Sequence, residues 1–154
     1  MIYRMSVFKD RVMSRDSTCC LTDSYTNLQC AHIVPKSERD WFQISDMTRY
    51  RKPMEPPSKL DPTELTNNAM MLRRDIHVYF DAYNMVPTVK MLETEHGLKW
   101  VFVVHILTSS HPHEMVELYH NRALRVTRDI SASSCTHAWP GLPFKELPSF
   151  SRPV

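Results

Sequence analysis

Between Cys30 and Asp81 the chain carries two short segments in which polar and apolar residues follow a restrictive order. The first places one imidazole, His32, inside the apolar run Ala31, Ile33, Val34, and Pro35 stops that run. Such a segment reads as a strand from Leu28 to Val34. The second begins at Asn67-Asn68 and continues through Ala69–Leu72, an apolar stretch cut off at once by Arg73-Arg74 and best taken as a strand. The period then changes to helical. Asp75 reads as an N-cap, and Ile76, Phe80 and Tyr83 form one apolar stripe. His77 and Asp81 are i and i+4 to each other, away from that stripe, so both point the same way.

The remainder of the chain sets bounds on what these segments can serve. At 154 residues there is room for one domain with one core. An apolar content of 42% and a charged content of 23% are those of a globular protein, which argues against wholesale disorder. A net charge of +2 permits binding to nucleic acid without pointing to it. Two glycines against eleven prolines exclude glycine-rich phosphate-cradling loops. No apolar run reaches the roughly 18–20 residues of a membrane span, so no membrane partner is expected. The first residues, MIYRMSVFKDRVMSRD, lack a signal-peptide core, and the expected location is intracellular, nucleus or cytoplasm, not secreted. Cys19, Cys20, Cys30 and Cys135 form no C-x-x-C pair, which disfavours a zinc knuckle. Burial as small hydrophobes is the favoured reading of Cys19-Cys20, with a vicinal redox pair as the alternative.

In chain order, residues 5–15 give a short amphipathic helix, and Cys19–Thr22 a brief strand. Trp41, Phe42, Ile44, Met47 and Tyr50 make a loosely helical apolar pattern. A proline-rich basic loop follows, whose Arg49, Arg51 and Lys52 suit either solvent or a nucleic-acid backbone. Asp61-Pro62-Thr63-Glu64 has the composition of a helix start. Two strands are expected after Pro87, Thr88–Leu92 and Trp100–Leu107, with Gly97 in the turn and the second strand buried on both faces. Residues 112–125 read as a helix. The domain is expected over residues 1–130, with a core at 18–90 and a Ser/Pro-rich tail at 131–154.

The order of strand with an inward histidine, loop, strand entered by an asparagine, and helix with two ligand-type side chains resembles the HNH (ββα-metal) endonuclease family. The resemblance covers roughly residues 18–90. It rests on Cys20-x-Thr22, Ala31-His-Ile-Val-Pro35, Asn68, and Leu72-Arg-Arg-Asp-Ile-His77 continuing through Phe80-Asp81. It is closest to the fungal and bacterial variant without zinc-knuckle cysteines and with an H-x-x-F-D helix motif. The implied fold is α+β, a ββα-metal core with an N-terminal helix and a C-terminal strand pair plus helix.

The family pattern makes His32 the general base that deprotonates an attacking water, and Asn68 the residue whose carbonyl holds that ring in its productive tautomer. His77 and Asp81 fall on metal-ligand positions, suited to Mg²⁺ or Mn²⁺ and also to Zn²⁺. Arg73, Arg74 and Lys36 are placed to contact phosphates of the substrate, DNA with RNA as the alternative. The implied reaction is metal-dependent hydrolysis of phosphodiester bonds, leaving a 5′-phosphate. Many family members carry a further metal ligand immediately before the base, where this chain has Ala31. A metal held by His77 and Asp81 alone binds more weakly unless Asp75 or another carboxylate joins. The alternative function is therefore a degenerate module of the same fold that binds nucleic acid or a protein partner without cutting. The remaining histidines, among them His105, His111, His113, His120 and His137, read as packing, capping or surface residues.

Overall fold

The computed structural model describes residues 7–55, 61–107 and 113–125. Eight elements follow in order: α1 (Val7–Asp16), β1 (Leu28–His32), α2 (Arg39–Ile44), β2 (Ala69–Arg73), α3 (Arg74–Asp81), β3 (Met85–Thr94), β4 (Gly97–Ile106) and α4 (His113–Tyr119). Short 3₁₀ turns lie at Lys36–Glu38, Met47–Tyr50 and Thr66–Asn68. The architecture is a mixed α+β one with two small antiparallel sheets, β1–β2 and β3–β4. The expected tail at 131–154 lies outside the described residues, as does His111.

β1 and β2 pair from Leu28 opposite Arg73 to His32 opposite Ala69. Each face of this ribbon is covered. Ala31, Met70 and Leu72 join Ile76 and Phe80 of α3, Met85 and Val104 of the hairpin, and Tyr119 of α4 in one buried cluster. Ala69 and Met71 alternate to the other face, where Val12 of α1 buries them with Phe8 and Met13 alongside. Strand alternation therefore accounts for why every residue of Ala69–Leu72 is apolar. A third cluster, Val34, Phe42, Met47 and Leu65, anchors α2 and the chain after β1.

The outer edge of β2 is closed by polar groups from the end of α1. Asp16 is 1% exposed, and its Oδ2 accepts the Met71 amide at 2.8 Å, while the Cys20 amide donates to Met71 O at 2.8 Å. Arg15 pairs with Asp16 and donates to the carbonyls of Thr66 and Ala69. An edge blocked in this way offers no free ladder to another chain. Cys19–Thr22 is accordingly a turn and not the expected strand, with the Asp23 amide bonded to Cys19 O at 2.9 Å. Cys19 and Cys20 are buried thiols, and burial pushes the Cys20 thiol up to about 12, as fits small core side chains.

Three further expectations are corrected. Asp61–Glu64 starts no α-helix: Asp61 Oδ1 accepts both the amide and the hydroxyl of Thr63, closing an Asx turn. Asp75 is inside α3, whose N-cap is Arg73, and its carboxylate engages the Arg73 guanidinium. Tyr83 leaves the apolar stripe. It sits at φ 57° just past α3, where the Tyr83 amide bonds Phe80 O and the Asn84 amide bonds Tyr79 O, and the residue is 51% exposed. This is the Schellman ending, and the left-handed residue swings its side chain off the helix face.

The β3–β4 hairpin is longer than its sequence suggests, pairing from Met85 opposite Ile106 to Thr94 opposite Gly97, which takes φ 100°. It is not buried on both faces throughout. Val103 and Val104 are in the core, but Met91, Leu92, Leu98 and Trp100 are exposed. α4 is shorter than expected, and the chain beyond it returns along β4 through a bridge between Val103 and Ala123.

Candidate functional site

β1 delivers His32 at its last residue, and α3 runs alongside, so the two segments singled out in the sequence meet. His32, Lys36, His77 and Asp81 line a single open cavity of ≈ 420 Å³, with Cys30 and Tyr83 in its wall. α3 reaches it because β2 turns directly into the helix at Arg73–Arg74, and Ile76 and Phe80 clamp its apolar stripe to the ribbon. His77 and Asp81, one residue on from Ile76 and Phe80 and so about 100° further round the helix, then face the end of β1.

His77 and Asp81 form a close pair: Nε2 lies 3.2 Å from Asp81 Oδ2. The other ring nitrogen, Nδ1, is 2.9 Å from Oε1 of Gln29 on β1. Two donor atoms each about 2.1 Å from a small divalent ion and at right angles lie about 3.0 Å apart, close to the observed separation. Imidazole nitrogen plus carboxylate oxygen is also a suitable donor chemistry for such an ion. Among the described residues no group of three His, Cys, Asp or Glu side chains is gathered closely enough to hold a metal. Asp75 is held by Arg73 at 2.7 Å and does not complete the pair. The donor set fits an ion that keeps several waters and not a closed structural zinc site.

His32 stacks on Phe8 of α1, ring centroids 5.2 Å apart. Its Nε2 is covered and has no hydrogen-bond partner among the described residues. Burial holds the imidazole below its ordinary range, and Lys36 and His77 push the same way, partly opposed by Asp61 and Glu64. A ring kept neutral at cell pH can accept a proton.

Asn68 is completely buried, but its carbonyl is not on the imidazole. Oδ1 accepts the Val34 amide at 2.9 Å, and Nδ2 donates to Val34 O at 3.1 Å and Thr63 O at 2.9 Å. The backbone adds a bond from the Ile33 amide to Asn68 O at 2.8 Å. Asn68 thus fixes the two residues that follow His32 and acts on the ring only through the main chain.

The three cations differ in what they offer an anion. Lys36 Nζ is 2.6 Å from Glu64 Oε1 and 3.5 Å from Asp61 Oδ2, so its charge is already balanced within the cavity wall. The hydrogen bond it donates to Glu64 raises its pKa. Burial alone would raise the Asp61 carboxyl, but the bonds from Thr63 and then Lys36 hold it below the usual range. Arg73 is taken up by Asp75 and by the Tyr119 hydroxyl at 3.0 Å. Arg74 is exposed and has no ion pair among the described residues. In the basic loop, Arg49 lies over the Tyr50 ring, 4.8 Å from its centroid. His105 and His120 lie against each other with their rings tilted by 44°, centroids 4.9 Å apart, and His113 pairs with Glu117 on α4.

Three residues have a part in the site that the sequence alone did not assign to them: Gln29, Asp61 and Glu64. Gln29 was detectable from alternation, since it shares a strand face with Ala31, and Ala31 is buried against α3. Glu64 and Asp61 as partners of Lys36 depend on a return of the chain that no local pattern announces.

Residues 19–86 match the family model described as HNH endonuclease, which supports that family for the segment containing every residue of the cavity named above. No curated protein and no solved structure matches the chain. No helix among the described residues is long and apolar enough to cross a membrane.

Proposed function

We propose that residues 19–86 form a ββα-metal nuclease site that hydrolyses phosphodiester bonds of DNA with one divalent cation, Mg²⁺ or Mn²⁺. The observation that carries this reading is the convergence of His32 with the His77–Asp81 pair on one open cavity. His32 is the general base. Its neutral imidazole takes a proton from water as that water attacks phosphorus, which is worth about 10²–10⁴-fold in rate. Phe8 and the Asn68-held backbone after residue 32 keep the ring in place. His77 and Asp81 would hold the cation. When bound, such an ion supplies positive charge against the phosphate and its leaving oxygen. Arg74 is the cation best placed to meet a neighbouring phosphate, because Lys36 and Arg73 are already engaged.

The test is nicking of supercoiled plasmid. The wild-type protein should nick with Mg²⁺ or Mn²⁺, stop with chelator, and lose nicking in His32→Ala at unchanged melting temperature. A protein that binds DNA but leaves the plasmid intact under all metal conditions is the non-cutting module, and the proposal fails.

A further inference from the structure

We infer that Gln29 is a positioning residue: its side-chain oxygen fixes the proton of His77 on Nδ1 and so leaves Nε2 as an electron-pair donor beside Asp81. The inference rests on the proposed cation site and adds a residue that neither the sequence motif nor the family match assigns. Gln29 lies on β1, one strand position from Cys30 and two from Ala31, and reaches across to α3. A carboxamide oxygen only accepts, so at 2.9 Å it requires N–H at Nδ1. A neutral imidazole has one N–H, and Nε2 then keeps its lone pair.

The competition is with Asp81. Its Oδ2 lies 3.2 Å from Nε2 and would equally accept a proton there, turning the pair into an internal hydrogen bond and removing the nitrogen as a ligand. Two features favour Gln29. Its contact is shorter, and it is partly sheltered, whereas the Asp81 side chain is 62% exposed and solvated by water. The neutral amide also orients the ring without adding a charge to the cavity. Ala31 gives this role more weight. With no donor at that position, the His77 nitrogen is half of the protein's contribution to the ion among the described residues.

The experiment reads the His77 tautomer in the metal-free protein by ¹⁵N-detected imidazole NMR at about pH 9. Wild type should show the Nδ1–H form of His77. Gln29→Leu, of similar size and with no acceptor, should shift it to Nε2–H, and Gln29→Glu should restore Nδ1–H. Mn²⁺ affinity by titration calorimetry should fall about 10–100-fold in Gln29→Leu and recover in Gln29→Glu. An Nε2–H tautomer in wild type overturns the inference even if no variant folds. So does a Gln29→Leu protein with the wild-type tautomer or the wild-type Mn²⁺ affinity. A protein that meets these expectations yet never cuts plasmid fails the nuclease reading alone.

Discussion

The side-chain carbonyl of Asn68 accepts the backbone amide of Val34 at 2.9 Å, two residues beyond the imidazole it was expected to hold. With Nδ2 on the carbonyls of Val34 and Thr63, the buried amide ties three backbone groups of two loops together. Asn68→Ala leaves all three without that partner, at a cost on the order of 3 kcal/mol. The melting temperature should drop by on the order of 10 °C, with activity lost in parallel. Thermal melts and nicking assays on the same preparation check this. Lost nicking at an unchanged melting temperature would return Asn68 to direct contact with the ring.

The ribbon and α3 were legible because their signals are local. Four apolar residues ended by two arginines cannot make a buried helix, and Ile76 and Phe80 recur at helical spacing. Which loop atoms Asn68 would meet was not legible, because Val34 and Asn68 are brought together only when β1 and β2 pair. Asp61-Pro62-Thr63 has the composition of a helix start, but the same aspartate oxygen also closes an Asx turn, and no apolar stripe follows to favour the helix. The hairpin misled for a different reason. β-Propensity marks Trp100 and Leu98 as strand without saying that the core ends at Val103.

A general base must be neutral to take a proton, so nicking should rise with pH as His32 deprotonates. Burial first, then Lys36, holds its pKa below the ordinary 6.5, so the half-maximal point should fall on the acid side of that value. Lys36→Met removes a cation while Asp61 and Glu64 remain, and both of these raise the histidine pKa. The midpoint of kcat/KM against pH should therefore move upward in that variant. A midpoint that stays put or moves down would show that another group sets the profile.

Arg73 and Arg74 are adjacent in sequence and should behave differently. Arg73 is bonded to Asp75 and the Tyr119 hydroxyl, so Arg73→Ala should cost roughly 1 kcal/mol of stability, kept low by the exposure of the pair. Arg74→Ala should leave the melting temperature unchanged and weaken DNA binding across sequences. The slope of log affinity against log salt should fall by about 1. Fluorescence anisotropy at several salt concentrations, beside thermal melts, separates the two roles. An Arg74→Ala slope equal to wild type would remove it from the interface.

Tyr83 tests how the helix that carries His77 and Asp81 is brought to an end. With two glycines in the chain, the left-handed position after α3 falls to a tyrosine at φ 57°, a conformation in which any Cβ meets the following carbonyl. Substituting glycine also deletes the ring, which lines the cavity, so that variant alone is ambiguous. Tyr83→Ala deletes the same ring and keeps the Cβ, and comparing the two cancels the loss. Glycine should then be the more stable by about 1 kcal/mol, less the entropy it adds to the unfolded chain. Inside a helix the order is the reverse, with alanine ahead by a similar amount. Denaturant titrations of both variants therefore report directly on the backbone at residue 83. If Tyr83→Ala proved the more stable, α3 would run on past Asp81, and the carboxylate would sit in mid-helix, not in the last turn.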